Sequence, residues 1–266
     1  MSPPEDGPAA PVIDSRIEDD VLTVRLNKPD KMNALTMGDL DEIGALLERS
    51  ARDDAVRCLL LTGAGRAFCA GRDLSEAREG EDAQALLSTR INPVIEALYH
   101  FPKPTVAAVN GAAMGIGLGL SLACDIVYAA EGARFSSPFA RLGAALDSGG
   151  HYFLPRRMSA GRVLEMIYTG DVIDGAQAHR LGLADRLAPD SVLAAAARDL
   201  ARRIADGPQA ALCAQKALVR RSLEMDLAEV LVEEARTQGA LARTADYAEG
   251  LAAFRERRPP RFGRMA

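Results

Sequence analysis

Two short apolar runs constrain the fold of this chain more than any other feature. VRCLLLTG (56–63) and PKPTVAAVNG (102–111) each end at glycine, without polar alternation along the apolar stretch. A strand with one wet face alternates, so unbroken runs of this length suit strands covered on both faces, as in a largely parallel sheet. Parallel strands need crossovers, and helical patterns lie around them. Residues 37–52 place Leu40, Ile43, Leu46 and Leu47 on one stripe, and a second helix is expected over about 82–100. Upstream, VLTVRL alternates and closes a strand–turn–strand over 12–27. Downstream, a helix over 116–123 leads to a strand at DIVYAA, and 134–150 is less regular. The rest reads as helices over 151–168, 174–181, 189–206, 208–221 and 226–254. Strands alternating with helices, followed by helices alone, predict an α/β core with a helical C-terminal extension.

The length of 266 residues allows one large domain with an appendage. The net charge of −5, from 32 basic and 37 acidic residues, gives no global basic field and argues against nucleic acid as the main partner. Cys58, Cys69, Cys124 and Cys213 form no C-x-x-C pair, and the three histidines form no H-E-x-x-H. Reduced cysteines in a cytoplasm and no catalytic metal are therefore expected. No apolar run approaches the roughly 18 residues of a membrane span, so no membrane partner is expected. The opening MSPPEDGPAAP is acidic and Pro-rich, unlike a secretory signal, and 1–11 reads as a loose tail.

Each buried run leads into a glycine-containing loop. One is Phe68-Cys69-Ala70-Gly71-Arg72-Asp73; the other is Asn110-Gly111-Ala112-Ala113-Met114-Gly115-Ile116-Gly117. A strand passing through glycine into a helix can aim backbone N–H groups at a ligand, and two that converge on one oxygen make an oxyanion hole. Tight packing explains the same glycines equally well. G-x-G-x-x-G is not completed at 115–120, so a dinucleotide site is not supported.

Several segments together resemble the crotonase superfamily of enoyl-CoA hydratases and isomerases. They are LNKPDKMNAL (26–35), GAGRAFCAGRDL (63–74), KPTVAAVNGAAMGIGLGLSLACDIVYAA (103–130), ARFSSPFARLGAALDSGG (133–150), TGDVIDGAQAHRLGLADRL (169–187) and AQKALV (214–219). The resemblance implies an α/β fold with a crotonase-like ββα spiral core over 12–200. It also implies a helical C-terminal region over 201–266 that builds trimers, often paired into hexamers. The implied substrate is an acyl-CoA thioester, with coenzyme A entering as part of the substrate and no cofactor bound permanently. Its carbonyl is expected between the N–H groups of Ala70 and Ile116. The coenzyme is expected along Lys28, Ala70, Arg72 and Gly115, with Lys216 and Phe254 reaching it from a neighbouring subunit. For these side chains a solvated charge or ordinary packing is the competing reading.

The resemblance also shows a departure. Hydratases of this family place water with two glutamates, and the corresponding positions here are Gly119 and Phe139. Neither can hold or deprotonate water. Asp147, in Leu146-Asp147-Ser148-Gly149-Gly150, stands where several isomerases, including the ring-epoxide isomerases of phenylacetate breakdown, carry a proton-shuttling acid. The dehalogenases carry a nucleophilic aspartate there. The same residue could simply cap a helix starting near Gly149. Asn92, in Asn92-Pro93-Val94, matches the spacing of phenylacetate-pathway isomerases and could hold substrate or orient the acid; a helix-surface role is the alternative. His151, His100, Asp73 and Cys69 read as structural. Phe139, Leu146, Tyr152 and Phe153 suggest an apolar pocket. The leading expectation is an acyl-CoA isomerase using Asp147. The alternatives are a hydratase with another acid such as Glu76, a hydrolase or dehalogenase with Asp147 as nucleophile, and a non-catalytic acyl-CoA-binding scaffold.

Overall fold

The structure, a computed structural model, describes residues 11–263. Its strands, in chain order, are β1 (Ile13–Glu18), β2 (Val21–Leu26), β3 (Cys58–Gly63), β4 (Ala67–Cys69), β5 (Thr105–Val109), β6 (Ala112–Met114), β7 (Ile126–Ala130), β8 (Arg134–Ser136), β9 (Ile173–Asp174) and β10 (Arg186–Ala188). They form two sheets, ordered β1-β2-β3-β5-β7-β10 and β4-β6-β8-β9. The large sheet is parallel from β2 to β10, with β1 antiparallel at its edge. In the small sheet β4, β6 and β8 are parallel and β9 is antiparallel. β3, β5 and β7 thus each feed a short strand of the second sheet. Two glycines make the transfer possible. A Cβ on Gly63 would lie 2.2 Å from the Ala67 carbonyl oxygen, and one on Gly111 would lie 2.1 Å from that of Arg66. Any side chain there would push the two sheets apart.

The helices are α1 (Met37–Ala51), α2 (Ala83–Leu86), α3 (Asn92–Tyr99), α4 (Ile116–Ala123), α5 (Gly150–Phe153), α6 (Ala160–Thr169), α7 (Gly175–Leu181), α8 (Asp190–Ala205), α9 (Gln209–Ser222), α10 (Leu227–Leu241) and α11 (Ala245–Glu256). α1 starts at a capping box in which Thr36 and Asp39 satisfy each other's amides. It buries Leu40, Ile43, Leu46 and Leu47, the stripe read from its sequence. All eight residues of α4 are buried, because it runs through the centre of the molecule. α8 lies across β3, β5 and β7. It buries Leu193, Ala197, Leu200, Ala201 and Ala205, so the division expected at residue 200 falls inside a helix that packs on the large sheet.

Three expected helices are broken. The 82–100 segment becomes α2, a π-helical turn over Leu87–Ile91, and α3. The 151–168 segment becomes α5, a tight turn around Pro155, and α6. The 226–254 segment stops at Ala242 and restarts at Thr244, whose hydroxyl caps α11. The basic end is not a loose tail as far as Gly263: Arg258 pairs with Glu249 through two nitrogens, at 2.6 and 2.9 Å, and Glu249 also accepts from the Arg261 amide. Residues 1–10, where a loose tail was expected, lie outside the described residues.

Candidate active site

The two glycine loops meet at the start of α4. The end of β4 presses on the first turn of that helix, where a Cβ on Gly117 would lie 2.2 Å from the Cys69 carbonyl oxygen. Gly71 has φ +108, and a Cβ there would lie 3.0 Å from the Met114 oxygen and 3.9 Å from the Ile116 nitrogen. Gly115 has φ +51 and takes the ring of Phe139 against it, with a hypothetical Cβ 3.6 Å from Phe139 Cζ. Ile116 opens α4, so its N–H has no carbonyl to bond within the helix and sits at the positive end of the helix dipole. The resemblance implies an oxyanion donor at this amide.

Ala70 requires a correction. Its N–H donates to the Met32 carbonyl at 3.0 Å and is committed to holding the loop. The structure points to the amide two residues on. Leu35 donates to the Gly71 oxygen at 2.9 Å, and Asp73 donates to the Leu35 oxygen at 2.8 Å, making a parallel bridge between Leu35 and Arg72. In such a bridge the central residue's own N–H points away from the partner segment. The Arg72 amide is therefore turned from Leu35, one residue beyond the glycine that touches Gly115 and Ile116. Counting from the glycine motif alone does not reveal this register.

Asp147 stands one helical turn further along α4. Gly119 is three residues after Ile116, about 4.5 Å along the axis on the same face. A Cβ on Gly119 would lie 2.4 Å from the Ser148 carbonyl oxygen and 2.6 Å from Ser148 Cβ. The turn carrying Asp147 thus occupies the space a glutamate at 119 would need. Ser148 is buried, has φ +52, and donates its hydroxyl to Asp147 Oδ1 at 2.8 Å. Burial raises the Asp147 pKa and the Ser148 hydrogen bond opposes that rise. The helix-cap alternative is not realised: α5 takes Gly149 as its N-cap without a side-chain cap bond.

The expected coenzyme cations are all engaged within the chain. Lys28 is ion-paired to Asp39. Arg72 is bound through both terminal nitrogens by Glu81, with its Nη2 at 2.8 Å. Lys216 lies 2.8 Å from Asp125 and donates to the Lys103 carbonyl at 2.7 Å, and burial lowers its pKa. Each therefore has a partner within this chain in addition to the coenzyme contact that the resemblance implies. Phe254 is 84% exposed and packs on nothing that would make it part of a site within one subunit. Asn92 is exposed at the start of α3, and no hydrogen bond brings its side chain to Asp147. His151 is exposed, and Asp73 holds its loop through Lys31 and Ser75, as expected for structural residues. The side chain of Glu76 lies outside the described residues. Cys58, Cys69 and Cys124 have thiols pushed up to about 12 by burial, which leaves no thiolate nucleophile at neutral pH among them. A cavity of about 610 Å³ opens beyond Gly149 between α3, α5 and α9. Tyr99, Tyr152 and Phe153 line it, whereas Phe139 and Leu146 do not.

This fold, with a glycine-loop amide at the head of a buried helix, defines the class of enzymes that bind acyl-CoA carbonyls. The profile of the family described as Enoyl-CoA hydratase/isomerase matches residues 16–265, and the chain belongs to that family. It is 40% identical over 247 residues to a probable enoyl-CoA hydratase of Rhodobacter capsulatus, covering 92% of this chain and 95% of that one. It is 36% identical over 253 residues to 1,2-epoxyphenylacetyl-CoA isomerase of Escherichia coli, covering 93% and 97%. The crystal structure of a putative enoyl-CoA hydratase from Streptomyces coelicolor superposes with a TM-score of 0.89 at 40% identity, covering 98% of this chain and 99% of that one.

Proposed function

We propose that this family member is an acyl-CoA isomerase in which Asp147 moves a proton. The substrate carries its own coenzyme A, and no further cofactor enters. The thioester oxygen accepts hydrogen bonds from the N–H of Ile116 and of Arg72. The Asp147 carboxylate removes a proton from carbon 2 or carbon 4 of an unsaturated or epoxidised acyl group. The resulting negative charge rests on the held oxygen, and the proton returns to a different atom, so the product is an isomer of the substrate. A preorganised donor of this kind lowers the barrier by about 3–4 kcal/mol. Burial holds the Asp147 pKa above that of a free aspartate, which makes its carboxylate the stronger base. The cavity beyond Gly149 sets Tyr99, Tyr152 and Phe153 beside the charged Glu96, Lys216 and Arg220, so its lining does not select an acyl group.

One observation carries the choice of isomerase. The backbone of Ser148 fills the space beside Gly119, Phe139 covers Gly115, and the half-buried Asp147 stands in the turn that rests on α4. The names of the relatives divide between hydratase and isomerase, so the distinction rests on these residues. Proton–deuterium exchange at the acyl α- and γ-carbons tests it, using crotonyl-CoA, 3-hexenoyl-CoA and phenylacetyl-CoA epoxide. Wild type should rearrange the 3-enoyl or epoxide substrate, and Asp147→Asn should lose roughly 10²–10⁴-fold in turnover while still binding. Near-native turnover in Asp147→Asn, or crotonyl-CoA hydration at ordinary enzyme rates, overturns the proposal. Label from heavy-oxygen water appearing on Asp147 in a single turnover would make it a nucleophile instead. We also propose that the protein works as a homotrimer, alone or paired into a hexamer, through the helices after residue 208.

A further inference from the structure

We infer that Ser148, seated on Gly119, is a positioning residue that aims the Asp147 carboxylate and stabilises its ionised form, so that Gly119 and Ser148 act as one unit in selecting proton transfer over hydration. The inference rests on the isomerase reading above and adds residues to it.

Ser148 is a non-glycine residue at φ +52, a conformation that costs an L-residue energy unless its surroundings hold it there. Those surroundings are α4. The Ser148 carbonyl and Cβ lie where a Cβ on Gly119 would be, at 2.4 and 2.6 Å, so the turn rests directly on the helix backbone. Gly150 donates to the Asp147 carbonyl at 2.9 Å and closes the turn from the other side. Within it the Ser148 hydroxyl reaches Asp147 Oδ1 at 2.8 Å. A half-buried carboxylate has few rotamers once one oxygen is held, and the second oxygen remains for the substrate proton.

The electrostatic surroundings make this hydroxyl influential. α4 contains no ionisable residue. α5 offers His151 and Tyr152, the turn after it Arg156, the segment before it Arg141, and α3, packed on α4, offers Glu96, Tyr99 and His100. None of these acts on Asp147: burial raises its pKa, and the Ser148 hydroxyl is the group that lowers it. Removing the hydroxyl leaves burial unopposed and moves the titration upward. Gly119 enters because any side chain there displaces the Ser148 carbonyl. A glutamate at 119 and the present Asp147 turn exclude each other in this backbone.

Ser148→Gly is the decisive variant, because glycine accepts φ +52 without strain and removes only the hydroxymethyl group. Its stability should be kept or raised at acid pH, where Asp147 is protonated. The carboxyl ¹³C resonance of Asp147, assigned by its loss in Asp147→Asn, should titrate at higher pH in Ser148→Gly than in wild type. The acid limb of kcat/KM should move up with it, with roughly a three- to tenfold loss on the acid side and an unchanged KM. Gly119→Ala should lose turnover, and Gly119→Glu should gain no crotonyl-CoA hydration. An Asp147 titration that does not move in Ser148→Gly overturns the inference, as does hydration gained by a folded Gly119→Glu. The ¹³C titration needs no turnover. An inactive wild type would therefore count against the isomerase reading and leave the positioning role to be judged on its own.

Discussion

Asp147 is half-buried without a cation paired to it among the described residues, and that has a consequence for stability. Its folded-state pKa lies above the unfolded value of 3.8, so the native state holds the proton more tightly than the unfolded chain does. Stability must then fall as pH rises from the unfolded value through the folded one, and it stays lower above that. Asp147→Asn removes the penalty. The variant should melt roughly 1–3 °C above wild type at pH 7, with the difference vanishing at low pH, where Asp147 is protonated in both states. Thermal unfolding at several pH values checks this, and a variant that melts below wild type at neutral pH would contradict it. Other acids near the loops behave oppositely. Asp73 is held well below the usual carboxylate range by Lys31 and Ser75. The family resemblance singled out Asp147 from these acids but implied Ala70 as the first amide donor. The error has a physical source. Whether an amide points outward depends on the Leu35–Arg72 bridge, a contact between distant segments that no local motif encodes.

At the scale of elements, the site is as good as the contact between β4 and α4. Gly117 makes that contact, with the Cys69 carbonyl 2.2 Å from the place of its missing Cβ. Gly117→Ala should force the helix start away from β4 and separate the Ile116 and Arg72 amides. Overpacking of this kind typically costs 1–3 kcal/mol, and a misplaced donor costs about 10²-fold in rate. Melting temperature and kcat measured together check it; a loss of stability with unchanged kcat would detach this glycine from the site. α4 itself was legible in the sequence, because its start at Gly115 and its apolar run leave little choice. The strands β6, β9 and β10 were not, since two or three residues cannot display a period. The break before α11 had a visible signal in Thr244, a capping residue followed by Asp246 in the first turn. The π-helical turn before α3 had none: its extra residue per turn follows from packing, not from composition.

For the whole molecule, the helices after residue 208 pose a problem that a single chain does not solve. Helices of about fifteen residues are marginal alone and depend on burying a face. α9 and α10 bury no residue fully. Val219, Leu223, Leu227 and Leu231 instead recur every four residues across the α9–α10 junction, each at least 54% exposed. Phe254 on α11 is more exposed still, at 84%. So many large apolar side chains left exposed on the C-terminal helices mark a candidate interface. The proposed trimer gives it an occupant and would bring Phe254 against a neighbouring subunit. In sedimentation equilibrium, wild type should weigh a multiple of three of its 28.3 kDa chain. Leu231→Asp puts a charge at an exposed apolar position of α10, where it should weaken self-association at least about tenfold and raise KM for acyl-CoA. A wild type that sediments at the mass of one chain across the micromolar range would refute the assembly. A Leu231→Asp variant that stays assembled would move the interface off α10. A dissociated variant with unchanged KM would instead confine the coenzyme site to one subunit, where Arg72 would have to exchange Glu81 for a phosphate.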